Sequence, residues 1–305
     1  MDIESLRAFV NVVDTGSFSL AAKQLFITQP AVSKRISALE SHLNHSLFDR
    51  VARQIFLTEA GENLLPRARA ILQSISDTER NIRELSGEIN GILKVATSHH
   101  IGLHHLPPIL REFASQHRNV NLQFEFLDSE QANEKILRGA CELAIVTIPR
   151  HLEPSLKAEI LWQDQLSFAC GINHSLAKTA SITLRDLSKY PAILPDLNTI
   201  TGKKVKHCFD QADLSLSLNM STNYLETIKM MVSVGLGWSV LPATMLDNHL
   251  TSFQVTNKSE AVSLGRQLGV ITHKNRTLGN AARAFYSTLC ANIKQNTDLS
   301  QITRK

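Results

Sequence analysis

The chain has 305 residues, of which 43% are apolar and 20% charged, and this composition excludes a wholly disordered protein. The length favours a small domain followed by one of about two hundred residues. The net charge is +4, and residues 1–58 carry six basic against five acidic side chains, so a DNA-binding surface would depend on where the charges lie. No basic segment followed by an apolar stretch opens the chain, and its most apolar stretch is broken by Gly and Pro. We therefore expect a cytoplasmic protein that does not contact a membrane.

Three helices are predicted at the start of the chain. Apolar residues recur at helical spacing over residues 2–14, and Gly16 ends this first helix. A second, shorter helix has an apolar face that extends to Phe26. Thr28 is a capping residue for the third helix, and Pro30 falls in its first turn, where the missing N–H of proline costs nothing.

The third helix places Val32, Ile36 and Leu39 on one apolar face. A short second helix, a tight connection and a third helix with polar residues at its exposed start are typical of a helix-turn-helix. Glutamine can pair with adenine, lysine with guanine, and serine with a base or a phosphate. The alternative is a three-helix bundle whose third helix has a solvated polar face. The polar residues on or beside that face are Gln29, Ser33, Lys34, Arg35 and Ser37.

Residues 46–57 predict a two-stranded wing. Two short apolar segments flank a turn region, and the turn carries Arg50 and Arg53. These arginines are placed to reach a minor groove or the DNA backbone. The first 58 residues therefore predict an all-α winged helix-turn-helix domain.

This part of the chain resembles the LysR-type transcriptional regulators. The matching segments are SLAAKQLFITQPAVSKRISALE from Ser19 to Glu40, LFDR from Leu47 to Arg50 and LTEAGE from Leu57 to Glu62. The resemblance implies that the third helix enters the major groove, with roles for Gln29, Pro30, Ser33 and Lys34. Many members of the family have Arg at the position of Lys34. The compact ammonium group of lysine here replaces a planar guanidinium that could donate two parallel hydrogen bonds to a base.

Residues 59–90 predict a long dimerisation helix. Apolar or small residues follow alternating steps of four and three, which is a heptad seam. The alternative is a helix that packs on its own domain. The resemblance also implies a dimerisation helix, and a homodimer, which we expect to form a homotetramer, suits a protein that reads two half-sites. The predicted seam is Leu64, Ala68, Ile71, Ile75, Thr78, Ile82 and Leu85.

Residues 91–305 predict an α/β effector-binding domain, because segments typical of strands and of helices alternate. One helix is predicted from Leu103 to His117. The resemblance implies two Rossmann-like subdomains similar to a type II periplasmic binding protein, with chain crossings near residues 161–165 and 264–268. The predicted subdomains are residues 91–163 with 268–297, and residues 164–267.

Hydroxyl-rich loops after the predicted strands suggest where a small ligand binds. In open α/β sheets such loops lead into helix N-termini, and converging hydroxyl and N–H groups favour a polar or anionic ligand. For each residue the alternative is an ordinary helix cap. The predicted effector-binding residues are Thr97, Ser98, His99, His100, Ser129, Thr147, Thr199, Thr201, Thr222 and Asn223.

The residues of this domain also suggest two other chemistries, a metal site and a redox-active cysteine. His100 and His104 are spaced to hold zinc on one helix face, but residues 92–111 contain no Asp or Glu, so we expect no metal site and no cofactor. Cys141 and Cys170 lie in apolar strands and are typical of a core. Cys208 follows several basic residues that would lower its pKa, which leaves a redox sensor as an alternative.

We therefore expect a sequence-specific DNA-binding transcription regulator that a small polar or anionic effector controls, and not an enzyme. The expected partners are double-stranded DNA, the effector, further copies of the chain and RNA polymerase. A solute-binding receptor is disfavoured because the chain opens with a DNA-binding pattern and not a secretory signal. A metal hydrolase is disfavoured because no nucleophile–base pair or carboxylate-completed metal set is visible in the sequence.

Overall fold

The structure is a computed structural model that describes residues 1–51, 54–179, 181–258 and 260–302. Side chains are described for these residues except for 50, 51, 86 and 294–302. The chain forms two compact units, Met1–Gly87 and Glu88–Lys305. Among the described helices, none combines the length and the apolar character that crossing a membrane requires.

In its described residues, the first unit consists of four α-helices, a short 3-10 turn and two antiparallel strands. Each helix starts at a residue whose side chain accepts a backbone N–H, namely Asp2, Ser17, Thr28 and Thr58. Gly16 ends the first helix in the left-handed conformation, as the sequence predicts. The elements are α1 (Ile3–Thr15), α2 (Phe18–Gln24), α3 (Gln29–Leu43), β1 (Phe48–Val51), β2 (Gln54–Leu57) and α4 (Glu59–Arg83).

The core of this unit forms where α1, α2 and α3 pack together. Phe9, Ile36 and Leu39 are buried, and Phe9 contacts the ring of Phe48 at a centroid distance of 5.4 Å. The prediction for Phe26 is wrong, because α2 ends at Gln24 and Phe26 has a φ of 55°. This left-handed turn directs the ring into solvent, where it is 95% exposed.

The long helix α4 has two parts with different environments. Near its start, Leu64 and Ala68 pack into the core of the same unit, so at these positions the helix does lie on its own domain. Toward its end, Ile82 and Leu85 are exposed, Leu85 lying in a single 3-10 turn that continues the helix. The later part of the predicted seam is therefore not covered by the described residues of its own chain.

The second unit is built on one large mixed sheet. The strands are β3 (Gly91–Thr97), β4 (Val120–Phe126), β5 (Leu143–Thr147), β6 (Leu156–Gly171), β7 (Ile182–Thr183), β8 (Ala192–Leu194), β9 (Leu218–Ser221), β10 (Trp238–Pro242), β11 (Leu250–Phe253), β12 (Val255–Asn257), β13 (Glu260–Ala261) and β14 (Leu264–His273). In the described residues the strand order of the large sheet is β4-β3-β5-β14-β6-β10-β8-β9, with β11 also paired to β6, and β13-β12-β7 form a separate small sheet. The helices are α5 (His99–His104), α6 (Pro107–Gln116), α7 (Ser129–Arg138), α8 (Leu184–Leu187), α9 (Ile200–Gln211), α10 (Leu225–Ser233) and α11 (Asn280–Ile302).

Alternating side chains explain why helices cover both faces of this sheet. In β3, Val95 joins a cluster with Phe285 of α11, whereas Ala96 joins a cluster with Ile136 of α7. In β8, Leu194 packs toward α9 and Ile193 packs toward α10. Two pairs of hydrophobic clusters therefore define two subdomains, one around β3 and one around β8.

The strands β6 and β14 join the two subdomains. They pair antiparallel from Leu264 opposite Leu166 to His273 opposite Leu156, and each passes through both subdomains. The single helix predicted from Leu103 to His117 is wrong, because α5 ends at His104 and α6 begins at Pro107. A proline there cannot continue the hydrogen-bond ladder of α5, so a new helix starts.

Candidate DNA-binding surface and ligand cleft

The exposed start of α3 forms the candidate DNA-binding surface. Gln29, Ser33 and Ser37 follow one another at steps of four and so lie on one helix face. Gln29 Nε2 donates to Ser33 Oγ at 3.0 Å, which holds both side chains in one orientation. Pro30 and Lys34 are exposed beside this face.

Arg35 has a different environment from the other predicted contacts. Its Nη1 lies 3.0 Å from Glu4 Oε2, so the guanidinium links α3 to α1. The predicted wing is present as strands β1 and β2, which pair antiparallel from Phe48–Leu57 to Val51–Gln54. Arg50 lies in β1, but its side chain and the whole of Arg53 lie outside the described residues.

A cavity of about 60 Å³ lies in the cleft between the two subdomains. The N-terminal ends of α5, α7, α9 and α10 face it, and these ends carry the positive poles of the helices. The structure brings most of the predicted effector-binding residues together here. Those lining the cavity are Ser98, His99, His100, Ser129, Thr147, Thr199, Thr201 and Asn223.

Several predicted hydroxyls have backbone partners. Thr97 does not line the cavity, because its Oγ1 donates to the carbonyl oxygen of Ile145 at 2.8 Å in the core. Thr222 also lies outside the lining, and Thr199 caps α9 by accepting from the N–H of Gly202 at 3.1 Å. Thr199 therefore both caps a helix and lines the cavity. Ser129 Oγ accepts the N–H of Thr147 and fixes two lining loops to each other.

The sequence reasoning missed a buried ion pair beside the cavity. Arg266 of β14 lines the cavity, and its Nε donates to Oδ2 of Asp164 on β6 at 2.6 Å. The two side chains are only 9% and 7% exposed. The available signal was a lone arginine between Leu264 and Leu268, in a strand that otherwise has no charge.

Three buried polar groups at the cavity have no hydrogen-bond partner among the described residues. They are Nη2 of Arg266, Oε1 of Glu130 and both ring nitrogens of His100. Burial, followed by the charge of Arg266, lowers the pKa of His100 to about 3, so this imidazole is neutral near pH 7. The cavity therefore offers a cationic donor, a carboxylate acceptor and a neutral imidazole to whatever binds there.

Side chains also cross the mouth of the cleft. Asn223 Nδ2 donates to Asp128 Oδ2 at 2.7 Å, and the rings of His99 and Tyr224 lie 4.4 Å apart. Next to them, His104 Nε2 lies 3.0 Å from Glu226 Oε1. These contacts join the subdomain around β3 to α10 and its preceding loop across the mouth of the cleft.

The structure changes the interpretation of the possible metal site and of the cysteines. Glu226 supplies the carboxylate that residues 92–111 lack, and one ligand atom each from His100, His104 and Glu226 lie within 4.8 Å of one another. Burial raises the pKa of the Cys208 thiol, which is opposite in direction to the lowering expected from the basic residues before it. Burial also raises the pKa of Cys141 to about 12 and of Cys170 to about 11.

A winged helix-turn-helix on the same chain as a two-subdomain ligand cleft defines a ligand-responsive DNA-binding protein. Residues 3–62 match the model of the bacterial regulatory helix-turn-helix proteins of the lysR family. Residues 86–292 match the model of the LysR substrate binding domain. The chain belongs to the LysR family of DNA-binding transcription regulators, which confirms the resemblance and the fold class deduced from the sequence.

Individual relatives agree with this assignment. The chain is 58% identical over 108 residues to an HTH-type transcriptional regulator of the ibpB-leuC intergenic region of Azotobacter vinelandii, covering 35% of this chain and 75% of that protein. It is 30% identical over 289 residues to a probable RuBisCO transcriptional regulator of Cyanidioschyzon merolae, covering 93% and 95% of the two chains. A cysteine-substituted variant of full-length OxyR from Pseudomonas aeruginosa has the same fold, with a TM-score of 0.68, 22% identity and coverage of 96% and 95%.

Proposed function

We propose that this regulator reads DNA as a homodimer or homotetramer and responds to a small effector that carries one anionic group and a hydrogen-bond donor. Residues 1–58 read the DNA, residues 59–90 dimerise, and residues 91–305 bind the effector. The two subdomains of this last part are residues 91–163 with 268–297, and residues 164–267. The protein acts in the cytoplasm, where its promoter DNA and RNA polymerase meet.

For DNA, the proposal assigns base reading to the start of α3. Gln29 and Ser33 share one exposed face and already hydrogen-bond to each other, which orients them before DNA arrives. Lys34 is exposed beside them and contributes charge toward a guanine or a phosphate. Arg35 acts through its ion pair with Glu4, which sets the position of α3 against α1.

Selection of duplexes from a random library with the full-length protein would supply the preferred sequence. Gln29→Ala and Ser33→Ala should each weaken binding to that duplex by about tenfold or more, with little effect on a scrambled duplex. Ser41→Ala, at an exposed position near the other end of α3, is the matched control. Equal losses on both duplexes would show that these residues do not read bases.

Lys34→Ala separates charge from base reading. If Lys34 contacts a phosphate, the variant should weaken binding to both duplexes alike and lower the slope of log affinity against log salt by about one. If it reads a base, the loss should fall on the selected duplex. No change on either duplex would remove Lys34 from the interface.

The chemistry of the effector follows from the unpartnered groups in the cleft, and this observation carries the proposal. Nη2 of Arg266 is a buried donor without an acceptor among the described residues, which a carboxylate or similar anion would satisfy. Oε1 of Glu130 is likewise a buried acceptor without a donor, which an ammonium or hydroxyl group would satisfy. Amino acids and hydroxy acids carry both groups.

Charge and size narrow the effector further. Asp164 already neutralises Arg266, and the lining also contains Asp128 and Glu130, so a second negative charge on the effector would be repelled. The cavity of about 60 Å³ has room for a few water molecules or for one small organic acid. A bulky effector would require the cleft to open.

A thermal-shift screen of small amino acids, hydroxy acids, dicarboxylates and phosphate esters tests this chemistry. A compound with one anionic group and a donor group should raise the Tm of the wild type, and dicarboxylates should raise it less. The Asp164→Asn, Arg266→Met double variant, which removes both charges of the pair, should lose the response. An equal Tm rise in the double variant, or preference for a multiply charged anion, would contradict the proposal.

The effector would act by holding the cleft closed. Residues on β14 and on the loops of both subdomains line one cavity, so a ligand there has more contacts when the subdomains approach. β6 and β14 run through both subdomains, with a register shift between Leu268 and Gly269, and provide the connection about which the subdomains would move. The closed and open forms would then present the DNA-binding domains of a dimer differently.

Self-association is proposed from the exposed part of the seam. Ile71, Ile82 and Leu85 are 38%, 64% and 83% exposed in the single chain, which is a high exposure for large apolar side chains at heptad spacing. A parallel or antiparallel helix from a second copy would cover them. Sedimentation velocity of the full-length protein should therefore show a dimer or a larger species.

A further inference from the structure

A second cluster of side chains lies next to the effector cavity at the mouth of the cleft. His100 and His104 are one turn apart on α5, with ring centroids separated by 4.8 Å. Glu226, on α10 of the other subdomain, brings Oε1 to 3.0 Å from Nε2 of His104. One ligand atom from each of the three residues lies within 4.8 Å of the others.

We propose that His100, His104 and Glu226 bind a divalent transition-metal ion, with Zn²⁺ as the reference ion. Two imidazole nitrogens and one carboxylate oxygen suit zinc and its neighbours in the first transition row, whereas Mg²⁺ and Ca²⁺ prefer sites made of oxygen alone. Three protein ligands leave one tetrahedral position open for water or another small ligand. Bound metal ligands lie about 2 Å from zinc, so ligand atoms within 4.8 Å of each other need only small side-chain rotations to meet one ion.

The state of His100 is the second observation that points to a metal ion. This residue is only 4% exposed, and neither of its ring nitrogens has a hydrogen-bond partner among the described residues. A buried imidazole without a partner is costly, and a metal ion would satisfy one of its nitrogens.

The ion would link the two sides of the cleft. α5 belongs to the subdomain around β3, and α10 belongs to the subdomain around β8, so both must be in place for all three ligands to bind. An ion that binds only the closed arrangement shifts the equilibrium toward it. His100 also lines the effector cavity, so the ion and the effector would sit side by side.

Zinc binding by the metal-free, full-length protein tests this proposal without DNA or effector. Competition against a chromophoric chelator should give one tightly bound Zn²⁺ per chain. His104→Ala and Glu226→Gln should each weaken binding by about tenfold or more. Both residues are partly exposed, with values of 43% and 38%, so these variants should remain folded.

Two control variants and the visible spectrum of bound Co²⁺ test whether the ion binds at these three residues. His207→Ala on α9 and Glu134→Gln on α7 change exposed residues of the same types and should bind Zn²⁺ like the wild type. Co²⁺ should give the intense visible bands of a four-coordinate site in the wild type and in both controls, but not in His104→Ala. Zn²⁺ should also raise the Tm of the wild type and not that of Glu226→Gln.

Two outcomes would overturn the proposal. One is the absence of stoichiometric Zn²⁺ or Co²⁺ binding by the folded wild type. The other is equal binding by the wild type, His104→Ala and Glu226→Gln, which would place the ion on other histidines. Neither outcome bears on the effector, because effector binding is measured separately by comparing the wild type with the Asp164→Asn, Arg266→Met double variant.

Discussion

Replacing Arg266 with methionine should destabilise the effector-binding domain by about 3–5 kcal/mol. The side chain is 9% exposed, and its Nε lies 2.6 Å from Oδ2 of Asp164, which is itself 7% exposed. Methionine keeps much of the apolar volume of arginine but removes the charge, so the carboxylate of Asp164 stays buried without its partner. For a domain of this size, each kcal/mol corresponds to about 2–4 °C in Tm, which gives a fall of about 6–20 °C.

Intrinsic fluorescence during denaturant unfolding measures this loss. Both tryptophans, Trp162 and Trp238, lie in the second unit, so the signal reports that unit. The Asp164→Asn, Arg266→Met double variant should recover most of the stability, because it buries no charge. Lys189→Met, which breaks the exposed ion pair with Asp186, should cost less than about 1 kcal/mol.

Two results would refute the reasoning behind this prediction. One is a loss for Arg266→Met no larger than the loss for Lys189→Met, which would mean that water solvates the remaining carboxylate. The other is a double variant as unstable as the single one, which would mean that Arg266 stabilises the domain by packing and not by charge. Either result would also weaken the assignment of Arg266 as the anion-binding group.

Three further predictions concern other parts of the molecule. Phe26→Asn should raise the Tm and stabilise by about 1 kcal/mol, because the ring is exposed and asparagine tolerates a φ of 55° better; an unchanged Tm would contradict this. The pKa of His100 falls from 6.5 to about 3 on folding, so its contribution to stability is complete above pH 6.5 and is lost as the pH falls toward 3. The loss at pH 5 is at most about 2 kcal/mol. In denaturant titrations between pH 7 and pH 5, the free energy of unfolding should fall less steeply with pH in His100→Leu than in the wild type. An equal fall in both proteins would contradict this prediction. Ile82→Asp combined with Leu85→Asp should give a folded monomer in sedimentation velocity, and a persisting dimer would exclude this part of the seam.

The sequence predicted the DNA-binding domain well because its signals are local. Thr28 caps α3 and Gly16 ends α1 through contacts within a few residues, so spacing alone locates these helices. Phe26 shows that residue spacing alone does not locate the end of a helix. Its position fits the apolar face of α2, but the left-handed turn before α3 carries the ring into solvent.

The cleft was predicted in part, for a related reason. Ser98 and Thr201 were found because hydroxyls that follow strands lie at helix starts, and these starts converge in an α/β sheet. Arg266 was missed because its partner, Asp164, lies 102 residues away, on the strand that pairs with it. Glu226 was missed because it meets His104 across 122 residues of sequence, and no local spacing connects residues so far apart.

Whether a ligand in the cleft changes how the protein contacts DNA can be decided by DNase I protection of the selected duplex. The full-length wild type and the Asp164→Asn, Arg266→Met variant would be compared with and without the small acid that gives the largest Tm rise. We predict that the acid changes the length or the pattern of the region protected by the wild type, and that the variant protects the same region with or without it. An unchanged region for the wild type at saturating acid, or the same change in the variant, would contradict control through this cleft.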